Sequence, residues 1–413
     1  MIKNHSKFFT LLLFFIFLCI NTYSQKAEND SSIFLQQVED LINQKKFATA
    51  HYLLADRLRS EGFKPLYICW MVRNGLQNHY KQEKYEYFYL KDEGNPGAAT
   101  PPESEKPQIA RLKHPLSMLL NITHQYPHYA WCYKLLGDYY NLQLEDLSYS
   151  SLVSPDVLGT LKKNIFGYYK AARNRGVKDP IVNRWLGTYF LNINQPDSAL
   201  KYFQLNVNNQ SGDALSFYRL AEINYQKKQF AQAYNYALQA LEYVSPADLK
   251  LSYDIRRLAA RSLLAMGEHQ RFVGFIEECI KLLPDEQIAY LDLIGFYESQ
   301  GYTEEGEQVL QKMLLRNPFD AEGFRKLEEY SVKFKSFFFA DSLFNEIQIT
   351  YENWDEALAN VYWSKGNLAY YQGLTSEANK FWDIARNYFR KFLPEDSPLL
   401  NKIGKISPKK ADK

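Results

Sequence analysis

The feature that most constrains this chain is a spacing of small and aromatic residues that returns at intervals near 34. Trp185-Leu186-Gly187 is followed by Phe190, then by Ala199 and Phe203. Ala221 stands 34 residues after Gly187, with Leu220 before it and Phe230, Ala233 and Ala240 beyond. Ala260 follows 39 residues later, Ile294 after a further 34, Glu328 after 34 and Gly366 after 38. Upstream, Gly137 precedes Gly187 by 50, flanked by Tyr133, Leu136 and Tyr140. Pro127, Pro284 and Pro318 each stand where a unit closes. The excess spacing coincides with the breaks at Ser150–Pro155, Ser245–Asp248 and Tyr351–Trp354. A fixed period of this size means stacked units, because one unit cannot bury its apolar face alone and each contacts only its neighbours.

The pattern Leu-Gly-x2-aromatic, with Ala-x3-Phe starting twelve residues after the glycine, resembles the tetratricopeptide repeat. That resemblance implies an all-α fold: a right-handed α-solenoid of helix-turn-helix units. In each unit a small residue of the first helix packs on a small residue of the second. The array is expected over residues 111–394. Glu328 and Ile294 occupy small-residue slots and Phe272 replaces an alanine, so those units are expected to pack less closely.

Residues 29–92 read as degenerate helical repeats. Phe47-Ala48-Thr49-Ala50 resembles the start of a second helix, Trp70 and Gly75 a first helix, and Tyr85-Tyr87-Phe88-Tyr89 another second helix. Residues 93–110, with Gly94-Asn95-Pro96-Gly97 and Pro101-Pro102, read as a linker or loop. Residues 395–413 read as a C-terminal cap and basic tail.

The first 24 residues have the layout of a secretory signal peptide: Lys3 and Lys7, an apolar run from Phe8 to Ile20, and Thr22-Tyr23-Ser24 before a cut at Gln25. The run is too short for a comfortable membrane span. Cys19 fits a lipoprotein site poorly, since Leu18 precedes it where a small residue is needed. The mature chain is therefore expected in an exported compartment, the bacterial periplasm or cell envelope. Cys69, Cys132 and Cys279 remain: an odd number, widely spaced, with no zinc pattern. Buried thiols are expected, and one disulfide is compatible with an oxidising compartment.

Composition narrows the function. With 49 Lys+Arg against 47 Asp+Glu there is no basic excess for nucleic acid. No phosphate loop, nucleophile elbow or HExxH occurs, and His124 and His128 are separated by the helix-breaking Pro127. The adjacent acids Glu277-Glu278 and Glu304-Glu305 point about 100° apart on a helix, as a solvated face does. No catalytic residue, cofactor or metal is expected.

The resemblance also implies a concave groove lined by the first helices, at positions six and three before and one, four and five after each small-residue slot. Those offsets give Trp131, Lys134, Arg184, Tyr218, Tyr225, Arg325, Trp363, Asn367, Tyr370 and Tyr371 as candidate partner-binding residues. Trp, Tyr and Arg are the types that dominate interface energetics, although a half-buried tyrosine also serves as packing between units. Some repeats of this family clamp a C-terminal carboxylate with Lys and Asn. Here Asp138 and Thr188 stand where Asn is wanted, so that pattern is not met. The expected function is a non-catalytic scaffold of the cell envelope, holding a peptide or protein segment of a membrane-associated complex. The alternative is glycan or small-ligand capture through groove aromatics. An enzyme with its site in the N-terminal block or the 141–165 insertion is the third reading.

Overall fold

The computed structural model describes residues 31–78, 81–83 (backbone), 85–93, 109–148, 153–208 and 213–405. The expected leader at 1–24, most of the 93–110 stretch and the end of the basic tail lie outside these residues. The chain divides into two compact units, Met1–Tyr202 and Phe203–Lys413, rather than at the 93–110 stretch.

The first unit begins with helices α1 (31–43), α2 (Phe47–Glu61) and α3 (Pro65–Gln77). Three strands follow, β1 (Lys81–Glu83), β2 (Tyr87–Lys91) and β3 (Ile109–Lys113), forming an antiparallel sheet in the order β1-β2-β3. Helices α4 (Pro115–Gln125), α5 (Ala130–Ser148), α6 (Pro155–Asn174) and α7 (Pro180–Asn192) come next, and the division between the units falls inside α8 (Pro196–Asn208).

The sheet corrects the sequence reading at two places. The tyrosine-rich stretch expected as a second helix is strand β2, and the expected start of the array at 111 falls inside β3. The reason is a period of two. Phe88 and Leu90 are buried while Tyr87, Tyr89 and Lys91 are half-exposed, and Ala110 and Leu112 are buried between exposed Ile109, Arg111 and Lys113. Aromatic and branched residues suit such a half-buried pleat. Helix α3 lies on the buried face at Gly75, where an added Cβ would come within 2.8 Å of Leu112. The carboxylate of Asp92, just past β2, accepts from the backbone amides of Ala48 (2.7 Å) and Thr49 (3.2 Å), capping α2 from outside its own sequence.

The second unit is a run of helix pairs: α9 (Ala214–Gln226) with α10 (Phe230–Tyr243), α11 (Leu249–Ala265) with α12 (His269–Leu282), α13 (Gln287–Gln300) with α14 (Thr303–Arg316), α15 (Ala321–Phe334) with α16 (Phe337–Thr350), and α17 (Asp355–Tyr371) with α18 (Thr375–Phe389). These are the tetratricopeptide-like hairpins of an all-α solenoid. Asp213, Asp248 and Asp320 cap α9, α11 and α15 through amides two or three residues on. Pro284 and Pro318 follow the ends of α12 and α14, where no backbone N–H is needed. The excess spacing is not confined to turns. Helices α11 and α17 run for 17 residues, whereas α9 has 13 and α13 and α15 have 14.

The slot residues Ala221, Ala260 and Ile294 on first helices, and Ala233, Phe272, Ala340 and Ala378 on second helices, are completely buried. The looser packing expected at Ile294 and Phe272 is absent: both sit in the main core cluster. Beyond α18 the chain turns back, and Ile403 buries itself against the Trp382 cluster while Arg386 donates to its carbonyl at 2.9 Å. Cys69, Cys132 and Cys279 are buried free thiols. Among the described residues, no helix is long and apolar enough to cross a membrane.

Gly366 and Gly295 form a test pair within the second unit. A Cβ at Gly366 would lie 2.4 Å from the Trp382 ring, whereas one at Gly295 meets nothing within 4 Å. Gly366→Ala is expected to cost about 1–3 kcal/mol through overpacking. Gly295→Ala is expected to gain up to about 1 kcal/mol from helix propensity. Urea unfolding followed by circular dichroism reads both, and equal shifts for the two variants would refute the close approach at Gly366.

Candidate functional site

The site is built where α15 and α17, the first helices of successive pairs, lie side by side under the returning C-terminal segment. They enclose a cavity of about 710 Å³ in the second unit. Helix α15 supplies Glu322, Arg325, Glu328, Glu329, Val332 and Lys333, helix α17 supplies Asn360, Trp363, Ser364, Asn367 and Tyr371, and the C-terminal turn supplies Lys402 and Lys405.

Most charges here are already paired. The Arg325 guanidinium holds Glu322 on one side and Glu329, at 3.0 Å, on the other. Lys333 reaches Glu298 at 3.2 Å. Glu328 differs. Its two carboxylate oxygens accept from the Asn367 side-chain amide at 3.0 and 3.1 Å, and among the described residues it has no ion pair. The Asn367 carbonyl in turn accepts from the Trp382 indole N–H at 3.0 Å, which settles which end of the amide faces the acid. Burial pushes the Glu328 carboxyl up to about 7, with the neighbouring Glu329 adding to the rise and the Asn367 hydrogen bonds and the Arg325 charge opposing it.

Of the ten residues singled out by the repeat offsets, Arg325, Trp363, Asn367 and Tyr371 converge on this cavity. The other six do not line it. Tyr370 is exposed and packs on Tyr371 and Trp382. Tyr218 is half-buried against the core, and Tyr225 packs edge-on to Phe230 with the Arg261 guanidinium 5.0 Å from its ring centre. In the first unit, Trp131 packs edge-on to Trp70, and Arg184 is half-buried on α7. Lys134 is engaged by Asp138 at 2.7 Å and Asp179 at 3.6 Å.

The sequence reading did not single out Glu328, Ser364, Lys402 or Lys405 as site residues. Glu328 carried a signal, an acid in a slot that takes a small residue, read there as a packing fault. The lysines carried none, since only the backward turn after α18 brings them to the cavity. No group of three metal-ligating side chains is present among the described residues.

Comparison with known proteins finds no matching family model and no matching curated protein. Solved structures give alignments with helical-repeat proteins. The MamA crystal structure is 19% identical, with 40% of this chain and 94% of that chain covered and a TM-score of 0.35. YrrB, described as a TPR protein with an unusual peptide-binding site, is 16% identical, with 42% and 79% covered and a TM-score of 0.33. TTC0263 from Thermus thermophilus, a thermophilic TPR protein, is 14% identical, with 56% and 98% covered and a TM-score of 0.36. The fold stands on the helix pairs described above.

The raised Glu328 carboxyl makes stability depend on pH. The native state binds this proton more tightly than the unfolded chain does. The stabilisation is therefore present below the usual carboxylate range and lost as pH rises through about 7. Between pH 5 and pH 8 the wild-type chain should lose about 2 kcal/mol relative to Glu328→Gln. Urea midpoints of both proteins at the two pH values measure this, and parallel behaviour would exclude an elevated Glu328.

Proposed function

We propose that the chain is a non-catalytic protein-interaction scaffold that binds a peptide or protein segment in the groove between α15 and α17. The observation that carries this reading is the convergence of Trp363, Tyr371 and Arg325 on one open cavity of about 710 Å³. These are the side-chain types that anchor interfaces, and a groove between parallel first helices suits an extended segment. Asn367 is held in place by Trp382 and Glu328, so the surface is organised before a partner arrives.

The same reading places the chain in the bacterial cell envelope, on the strength of the basic, apolar and small-residue layout of its first 24 residues. Membership of a membrane-associated complex is part of the proposal. A glycan ligand is the competing outcome of the binding test.

Two experiments address these statements. Envelope extracts are crosslinked to the wild-type chain and to Trp363→Ala, with recovered proteins quantified by mass spectrometry and a glycan array run in parallel. A stoichiometric protein partner that falls at least about tenfold with Trp363→Ala supports the scaffold, since loss of a buried aromatic anchor costs more than 1 kcal/mol. Equal recovery by both proteins, or glycan binding alone, rejects it. Separately, intact-mass analysis of the chain expressed in a Gram-negative host should show a periplasmic product beginning at Gln25. An uncut product in the cytoplasm would reject the exported location.

A further inference from the structure

Given the α15–α17 cavity as the partner site, on which this step rests, its unbalanced charges indicate what enters it. Glu322 and Glu329 share Arg325, and Lys333 shares Glu298 with Lys326. Glu328 accepts from the neutral Asn367 amide and, among the described residues, forms no ion pair, although the Arg325 charge on the same helix favours its ionised form. Lys402 and Lys405, exposed at the rim, have no ion pair among the described residues. The site thus places an acid with no ion pair of its own within the cavity and two lysines without ion pairs at its mouth.

We infer that the cavity receives a lysine side chain from the partner segment, its ammonium on Glu328 and its alkyl stem against Trp363 and Tyr371, with acidic residues flanking that lysine on the segment to meet Lys402 and Lys405. An apolar side chain would leave the acid buried without a counter-charge, and an acidic one would add a second negative charge beside it; both arrangements are costly. An ammonium supplies the missing charge, and aromatic faces attract it further. The four-carbon stem of lysine covers apolar surface while its head reaches a polar end. Lysine fits better than arginine because both Glu328 oxygens already accept from Asn367. A point charge needs one remaining lone pair, whereas a guanidinium fork seeks two oxygens in a fixed plane. The Trp382–Asn367–Glu328 hydrogen-bond chain orients the carboxylate before the ammonium arrives. The flanking acids follow from the rim: a segment with further cations there would meet Lys402 and Lys405 as like charges.

The test titrates the mature chain by calorimetry with three acetylated, amidated synthetic peptides. The first is a glutamate–alanine sequence with one central lysine. The second has norleucine in place of that lysine. The third keeps the lysine and exchanges glutamate for glutamine. The first is expected to bind saturably, the second at least tenfold more weakly, and the third several-fold more weakly with a smaller salt dependence. Glu328→Gln, near-isosteric and checked for folding by thermal melt, is expected to lose at least tenfold for the first peptide and to discriminate little between the first and second. Equal affinity for lysine and norleucine peptides, or unchanged binding by Glu328→Gln, overturns the inference while leaving a peptide groove in place. No binding of the first peptide overturns it as well. Partner capture that still depends on Trp363 would then show that the scaffold reading survives, and loss of that capture would show that both fail.

Discussion

The structure depends on how closely the two helices of each pair, and each pair and its neighbour, are allowed to approach. The approach is set where a residue with little or no side chain meets a large ring. Gly137 receives the Tyr169 ring, Gly366 the Trp382 ring and Gly306 the Tyr330 hydroxyl, and a Cβ at any of the three would fall within 2.4 Å of the incoming group. In a core packed as densely as a molecular crystal, one added methyl has nowhere to go without moving a helix. The ring also carries a polar group that needs a partner. Tyr169 donates to Asp138 at 2.9 Å, Tyr330 to the Thr303 carbonyl at 2.9 Å and Trp382 to Asn367 at 3.0 Å. The small residue therefore does two things at once: it admits the ring, and it brings the ring's N–H or O–H to a specific acceptor.

Where this rule is broken, two outcomes are seen. Ile294 and Phe272 fill their slots with apolar bulk and are absorbed into the core. Gly306 stands twelve residues after Ile294, in the position that holds alanine in the units of Gly187, Ala221, Glu328 and Gly366, so a large residue on one helix accompanies the smallest on the other. Glu328 cannot be absorbed in this way, because a carboxylate needs donors. Its donor, Asn367, comes from α17, and both residues line the cavity. The departure from the repeat and the candidate site thus share a residue.

This explains which parts were legible in the sequence. The helix pairs are written in a period, and a period survives local degeneration because seven slots, three of their six separations equal to 34, reinforce one another. The groove offsets placed Arg325, Trp363, Asn367 and Tyr371 on one cavity because helix geometry fixes which positions share a face. The sheet was not legible, because the aromatic stretch at 85–91 fits a helical packing face as readily as a pleat. What decides is the partner strand β3, which lies beyond a long intervening stretch. Nor did the pattern distinguish a groove tyrosine that faces open space from one, such as Tyr225, held by Phe230 and Arg261, since both have the same spacing.

A half-buried acid near a groove lysine or arginine occurs in both units, and the contrast shows why only one is read as a site. Asp138 follows Gly137 on α5, and burial raises its carboxyl, yet Lys134 lies 2.7 Å away and Tyr169 donates to it. Asp179 adds a second acid to the same ammonium. The charge is satisfied within the unit, and removing either partner would strand the other, as in any buried pair. Glu328 has the neutral Asn367 amide as its donor and no ion pair among the described residues, while Arg325 on the same helix forms its ion pairs with Glu322 and Glu329. A charge that the fold itself neutralises belongs to the fold. A charge held in place by Asn367 without an ion pair of its own bears a desolvation cost that an incoming cation would relieve, and that difference separates Glu328 from Asp138.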